Sequence, residues 1–176
     1  RRGPVEAKFT NVELREMGNL TNCLPIVKKF DLPSKLEGNF SERDKRLIEK
    51  NLETLKSFLS IKKENKEKIL NFTFFHKPIE IIGNEKVESI KFEKTKLIEG
   101  KLENTGEIVE INCGLIITAI GYKPKNISGL EIIKGIVKNK NGKIDKGFYA
   151  AGWIRRGPTG VIGTNKADGE LVANLI

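Results

Sequence analysis

The stretch from Gly147 to Ile162 places the strongest constraint on the fold of this 176-residue chain. It reads Gly-Phe-Tyr-Ala-Ala-Gly-Trp-Ile-Arg-Arg-Gly-Pro-Thr-Gly-Val-Ile, which predicts a strand, a glycine-rich turn and the start of a closing helix. Such a turn leaves backbone N–H groups unpaired at the positive end of the helix dipole, where a phosphate or an electron-rich ring edge can bind. Trp153 favours a flat cofactor there, because an indole can cover one. The alternative is a tight turn that binds no ligand.

Two further helices are predicted in the first third of the chain. Thr10 or Asn11 can cap the first, which covers residues 12–17. Ser41 opens the second, from residue 42 to about residue 60, where leucines recur at helical spacing on one face and charges occupy the other.

The rest of the chain is predicted to be extended. Residues 20–40 carry prolines and few periodic apolar positions, so we expect an extended excursion between the helices. Strands are predicted at residues 69–75, 87–97, 108–111 and 115–120. The last of these is an apolar run bounded by Gly114 and Gly121, which is typical of a buried, parallel strand.

Charge and cysteine content narrow the class of partner. Lys and Arg outnumber Asp and Glu by 32 to 23, and the net charge of +9 favours an acidic protein, a nucleic acid or an anionic membrane surface. Cys23 and Cys113 form no CxxC pair, which argues against a zinc site or a disulfide framework. No metal ligands are therefore predicted, and no apolar run reaches the length of a membrane span.

Four segments, in order, resemble the adrenodoxin reductase family of mitochondrial-type ferredoxin–NADP reductases. They are Arg-Arg-Gly-Pro at residues 1–4, Phe-Thr followed by Glu-Leu-Arg-Glu-Met at 9–17, Cys-Gly-Leu with Ile-Gly-Tyr-Lys at 113–123, and Gly-Trp with Arg-Gly-Pro-Thr-Gly-Val-Ile at 152–162. The resemblance extends from end to end, although residues 19–111 are only loosely similar.

The resemblance implies an α/β fold, as part of a three-layer (ββα-type), two-domain flavoprotein that binds FAD and NAD(P). Residues 1–121 would be the remainder of the NADP-binding domain, with a helical excursion at about 20–65, and residues 122–176 the return into the FAD-binding domain. The glycine-rich dinucleotide-binding loops of the family would lie upstream of Arg1. We therefore expect the chain by itself to be a poor catalyst or none.

Site residues carry over from the family by position. NADP would contact Arg1 and Arg2, which suit a 2′-phosphate because guanidinium groups give charge-assisted bonds to its oxygens. Glu13 and Gly160 would also lie at NADP, although the local sequence of Glu13 supports only a helix cap. FAD would contact Trp153, Gly160, Val161 and Ile162. No catalytic side chain is predicted, because the flavin supplies the redox chemistry.

The acceptor implied by the family is an acidic [2Fe–2S] ferredoxin, which a basic surface would attract. Arg15 and Arg46 match basic positions of the family, the second across an alignment that also offers Arg43 and Lys45. The resemblance further implies that the enzyme is an NADPH-dependent reductase located in the mitochondrion. It is compatible with peripheral association with a membrane, and it implies no nucleic-acid partner.

Three alternatives remain open from the sequence. One is another flavoprotein of similar two-nucleotide build, resembling the glutamate synthase small subunit or thioredoxin reductase. The second is a basic nucleic-acid-binding module, suggested by the net charge and by lysine-rich stretches at residues 62–68. The third is a degenerate, non-catalytic member of the same family that is kept for protein contacts.

Overall fold

The computed structural model describes residues 3–64, 66–121, 124–160 and 162–176. These residues form two compact units, Arg1–Ile116 and Ile117–Ile176. The domain boundary predicted at residue 121 stays a prediction. The assignment of the units to an NADP-binding and an FAD-binding domain stays a prediction.

Within the described residues, the first unit contains two α-helices, one 3-10 helix and two sheets. Its elements in chain order are α1 (Asn11–Gly18), β1 (Cys23–Val27), a 3-10 helix (Lys29–Asp31), α2 (Glu42–Phe58), β2 (Lys68–Phe72), β3 (His76–Ile82), β4 (Ser89–Ile98) and β5 (Lys101–Asn112). Strands β1 and β2 pair in parallel, whereas β3, β4 and β5 form an antiparallel sheet in that order.

Both helices of this unit begin where the sequence predicts. Thr10 caps α1, and its side chain and that of Glu13 bond each other's backbone N–H groups as a capping box. Ser41 caps α2 by accepting a hydrogen bond from the N–H of Asp44. The caps fix these boundaries because they satisfy N–H groups that the first helical turn leaves unpaired.

The core of the first unit lies between α1, α2 and the parallel strands. Five buried apolar residues form it: Leu14, Val27, Leu55, Phe58 and Phe74. Phe72 extends this core, with its ring centroid 5.5 Å from that of Phe58. Apolar positions at helical spacing on α2 thus bury one face of the helix against β1 and β2.

The extended excursion predicted for residues 20–40 is wrong in one part, because residues 23–27 form the buried strand β1. Pro25 suggested a turn at this point. In the structure it is fully buried in β1, whose one hydrogen-bonded neighbour among the described residues is β2. An edge strand tolerates proline because the missing N–H can face away from its neighbour.

The buried parallel strand predicted at residues 115–120 is also wrong. No strand is assigned there, and Leu115, Ile117 and Ile120 are 75%, 81% and 91% exposed. Within the described residues, β5 ends at Asn112 and no strand pairs with the run. A parallel strand becomes buried only where neighbours take up its backbone hydrogen bonds and cover its faces.

In the part that the structure describes, the second unit consists of two short hairpins and two α-helices. Its elements are β6 (Ile132–Ile133), β7 (Ile136–Val137), β8 (Lys143–Asp145), β9 (Phe148–Tyr149), α3 (Trp153–Arg156) and α4 (Ile162–Ala173). Val137, Ala150 and Val172 are its buried apolar residues. The predicted order of strand, turn and closing helix is confirmed, with the short helix α3 inside the turn.

Candidate functional site

The segment from Gly152 to Gly160 joins β9 to α4 through the single turn of α3. Gly152 caps α3 with φ 71° and ψ −149°, a conformation that is open to glycine and strained for other residues. Its carbonyl oxygen accepts hydrogen bonds from the N–H groups of Arg155 and Arg156, at 3.1 and 3.2 Å. The turn therefore holds Trp153 at the start of a defined helix rather than in a loose loop.

Asp168 of α4 supports this turn from the other side. It is 4% exposed, and its carboxylate accepts hydrogen bonds from the backbone N–H of Gly152 and from Nε of Arg155, the latter at 2.5 Å. Nη2 of Arg155 completes the ion pair. The hydrogen bond from Arg155 holds the pKa of Asp168 below its ordinary value, so the carboxylate stays ionised at neutral pH.

Arg156 ties the rest of the turn to α4. Its Nη1 donates to the carbonyl oxygen of Thr159 and, at 3.1 Å, to Oγ1 of the same residue. Its Nη2 donates to Oδ1 of Asn165 at 2.6 Å. Nε of Arg156 lies 3.9 Å from Oδ1 of Asp168. The two neighbouring arginines therefore join the turn to α4 at several points.

Trp153 and Gly160 present what a flat ligand could contact. Trp153 is 41% exposed, although most large apolar side chains of a folded protein are more covered. Gly160 is exposed, with φ 81°, immediately before the first turn of α4. An exposed indole and bare backbone at the start of a helix suit an aromatic or anionic ligand. These residues therefore fit the predicted flavin contact.

The structure gives no further contact for the other two residues predicted to contact FAD. Val161 lies outside the described residues, and Ile162 is the first residue of α4. Arg1 and Arg2, predicted to hold the 2′-phosphate of NADP, also lie outside the described residues. Their roles stay predictions.

Glu13 is exposed on α1 and already engaged. Its Oε2 accepts hydrogen bonds from the backbone N–H and from Oγ1 of Thr10, at 3.2 and 2.6 Å. The side-chain hydrogen bond from Thr10 lowers the pKa of Glu13. The structure thus gives this carboxylate the capping role that its local sequence indicates, and its contact with NADP stays a prediction.

Arg15 and Arg46 are exposed on the two helices of the first unit. Arg15 borders a groove of about 460 Å³ between α1 and the C-terminal half of α2, above Phe58. Arg46 lies in the N-terminal half of α2. The helices are held together by Nδ2 of Asn11, which donates to Oδ1 of Asn51 at 3.2 Å and to Oγ1 of Thr54 at 3.0 Å.

Sequence reasoning missed the role of Asp168 and gave none to Arg155 or Arg156. A signal was present, because Asp168 precedes Val172 by one helical turn and therefore lies on the buried face of α4. A carboxylate on such a face needs a cationic partner. The adjacent arginines in the preceding turn are the obvious donors.

Among the described residues, no group of histidine, cysteine and carboxylate side chains could hold a metal ion. None of the described helices has the length and apolar composition needed to cross a membrane. His76 begins β3, and its Nδ1 lies 2.5 Å from the carbonyl oxygen of Phe74.

Comparison with curated proteins finds relatives over nearly the whole chain. NADPH-ferredoxin reductase FprA of Mycobacterium tuberculosis (strain ATCC 25618 / H37Rv) is 33% identical over 193 residues, which cover 99% of this chain and 41% of the relative. The mitochondrial NADPH:adrenodoxin oxidoreductases of Arabidopsis thaliana and Rattus norvegicus are each 31% identical. They match 94% and 100% of this chain, and 40% and 39% of their own lengths. No family model matches.

Solved structures agree with this result. The structure of Mycobacterium tuberculosis FprA in complex with NADPH is 31% identical to this chain and superimposes with a TM-score of 0.86. The match covers 99% of this chain and 40% of that one. The α/β fold of this flavoprotein type, expected from the sequence, is thereby confirmed. The chain spans about two fifths of the length of the relatives it matches.

Proposed function

Because the chain matches the adrenodoxin reductase family along nearly its whole length, we propose that the protein carrying it passes electrons from NADPH through FAD to a [2Fe–2S] ferredoxin. The observation that carries this proposal is the turn from Gly152 to Gly160. The turn keeps the motif of the family and is held in one conformation by the Asp168 and arginine contacts, with Trp153 half-exposed beside it.

The residues of this turn would bind and orient the cofactor rather than react with the substrate. Trp153 would cover part of the flavin, and the backbone of residues 160–162 would approach it without an intervening side chain at Gly160. FAD, when bound, supplies the hydride and single-electron chemistry. Gly160 would also border the nicotinamide end of NADP.

NADPH selectivity is the second part of the proposal. Arg1 and Arg2 would bind the 2′-phosphate, which NADH lacks. Their assignment rests on the resemblance, and FprA has been solved in complex with NADPH. Each charge-assisted hydrogen bond to a phosphate contributes about 1.5 to 3 kcal/mol, so losing one changes affinity roughly 10- to 150-fold.

This selectivity can be measured in the protein that carries the chain. We expect Arg2→Ala to lower kcat/KM for NADPH by roughly 10- to 150-fold, with an artificial electron acceptor, and to leave kcat/KM for NADH unchanged. Lys62→Ala serves as the control, because the Lys62 side chain is 82% exposed and pairs with Glu64 at a distance of 3.9 Å on the surface. Equal losses with both cofactors would contradict a phosphate-binding role.

The acceptor is the third part of the proposal. An acidic ferredoxin would contact Arg15 on α1 and Arg46 on α2, with attraction that weakens at high ionic strength. We expect Arg15→Glu to raise KM for the ferredoxin at low salt and to spare the reduction of a small neutral acceptor. An equal effect on both acceptors would argue against docking at Arg15.

Mitochondrial localisation belongs to the same proposal. The names of the Arabidopsis and rat relatives include this compartment, whereas the mycobacterial relatives are bacterial proteins of similar identity. Microscopy of the tagged full-length protein in its own cells tests it. Co-localisation with a mitochondrial marker supports the assignment, and a diffuse cytosolic signal contradicts it.

A further inference from the structure

The carboxylate of Asp168 lies at the centre of the contacts around the candidate flavin turn. It is 4% exposed. It accepts the N–H of Gly152 before Trp153 and Nε of Arg155 after it, and it lies 3.9 Å from Nε of Arg156. One side chain of α4 therefore contacts the backbone on one side of Trp153 and a side chain on the other.

Trp153 belongs to a short segment that needs support from outside itself. It is 41% exposed, and α3, to which it belongs, is a single helical turn of four residues. An isolated turn of this length is not stable by itself, because the first hydrogen bonds of a helix do not compensate for the lost backbone entropy. The contacts of Asp168 with Gly152 and Arg155 restrain this turn, beside those that Arg156 makes with Thr159 and Asn165.

The restraint requires a carboxylate at position 168, because its two oxygens accept hydrogen bonds from two different donors. A carboxylate can accept from the backbone donor and from the guanidinium at once, whereas an asparagine in its place offers a single acceptor oxygen and turns an N–H₂ group towards one of the donors. The change Asp168→Asn would thus release either Gly152 or Arg155 while keeping the size of the side chain.

We propose that Asp168 is a positioning residue for the flavin. Asp168 acts through Gly152 and Arg155 to hold Trp153 in its cofactor-binding orientation. This inference rests on the proposed function, because it requires FAD to bind at this turn. Asp168 itself would touch no cofactor. The resemblance to the family assigns contacts to Trp153 and residues 160–162 and gives no role to Asp168.

The test measures FAD affinity in the protein that carries this chain, after removal and re-addition of FAD. We expect Asp168→Asn to raise the Kd for FAD about 10-fold, which corresponds to about 1.4 kcal/mol. We also expect it to change the visible circular dichroism of the bound flavin. Glu170→Gln is the matched control on α4, because Glu170 is exposed and lies 3.9 Å from Lys166 in a surface pair.

A double-mutant cycle separates positioning from a general effect on stability. If Asp168 acts through Trp153, Asp168→Asn should raise the Kd less than about 3-fold in a Trp153→Phe background. A 10-fold rise in both backgrounds would overturn the proposal. So would a lower melting temperature accompanied by unchanged FAD affinity and an unchanged flavin spectrum.

Arg155→Lys provides a second variant in case Asp168→Asn does not fold. Lysine keeps the charge and loses the Nε donor that bonds Asp168 at 2.5 Å. We expect a smaller rise in Kd in the same direction, and no rise would overturn the proposal. If the wild-type protein binds no FAD, the proposed function itself fails. If the wild type binds FAD and Asp168→Asn behaves like Glu170→Gln, only the positioning role fails.

Discussion

Replacing Gly160 with alanine tests the conformation of the candidate turn. Gly160 has φ 81°, and a Cβ atom at this position would lie 2.3 Å from Oγ1 of Thr164. The left-handed conformation costs an L-residue roughly 1 to 2 kcal/mol. Moving the Thr164 side chain away from its rotamer costs about 0.5 to 1.5 kcal/mol more. We therefore expect Gly160→Ala to lower the free energy of unfolding by about 1.5 to 3.5 kcal/mol.

The two contributions can be separated by a second substitution. Adding Thr164→Ala to Gly160→Ala removes Oγ1, the atom at 2.3 Å, and leaves the Cβ of residue 164 at 3.0 Å together with the backbone strain. We therefore expect at least about 1 to 2 kcal/mol of the loss to persist. Gly169→Ala is the control, because Gly169 lies inside α4 and a Cβ atom there would meet nothing within 4 Å. Alanine is the better helix former at that position, so this variant should gain about 0.5 to 1 kcal/mol.

Urea unfolding measures these changes in the free energy of unfolding. The fluorescence of Trp153 reports the transition at the turn, because Trp153 is the single tryptophan of the chain. A Gly160→Ala variant as stable as the wild type would refute the strained geometry. A double variant no more stable than Gly160→Ala would refute the contact with Thr164.

Three further substitutions or titrations address the core, the ion pair and the first helix cap. Leu55 is fully buried, so Leu55→Ala should lower the free energy of unfolding in urea by about 2 to 5 kcal/mol. Leu47 is 44% exposed on the same helix, so the control Leu47→Ala should change it by no more than about 0.5 kcal/mol. The pKa of Asp168 is lowered from 3.8 in the folded state, so its contribution to stability is full above pH 3.8 and is lost as pH falls through the lowered pKa. In acid titration, Asp168→Asn should therefore lack this loss of stability. An acid transition identical to that of the wild type would contradict the ion pair. Thr10→Ala removes the cap of α1 and should lower the free energy of unfolding by about 1 kcal/mol, measured by urea unfolding followed by circular dichroism. An unchanged free energy of unfolding would argue against the cap.

Elements determined by nearby residues were predictable from the sequence. The capping box of α1 spans four consecutive positions from Thr10 to Glu13, and the glycine-rich turn before α4 is equally local. Both patterns satisfy backbone groups within a few residues, so a short window of sequence contains the whole physical reason for them.

Elements that depend on distant partners were not predictable. Strand β1 forms because it pairs with β2, where Ile69 stands opposite Leu24, far along the chain. The apolar run at residues 115–120 has strand composition, but no strand pairs with it within the described residues. Hydrophobic patterning indicates that a segment can be buried, and it does not supply the neighbour that buries it.

The candidate site shows the same division. Trp153 and Gly160 were proposed from the motif. The role of Asp168 was missed despite its helical spacing from Val172, because its contact with the Gly152 N–H forms only when α4 folds back against the turn. Arg155 likewise became meaningful only through that contact.

Amide hydrogen exchange with and without FAD, in the protein that carries this chain, tests the central claim most directly. We predict that FAD slows exchange across residues 152–162 and leaves the exposed face of α2 unchanged, because the cofactor would cover the turn and stabilise the first amides of α4. Unchanged exchange across residues 152–162, in a protein shown to have bound FAD, would contradict the assignment of this turn to the flavin.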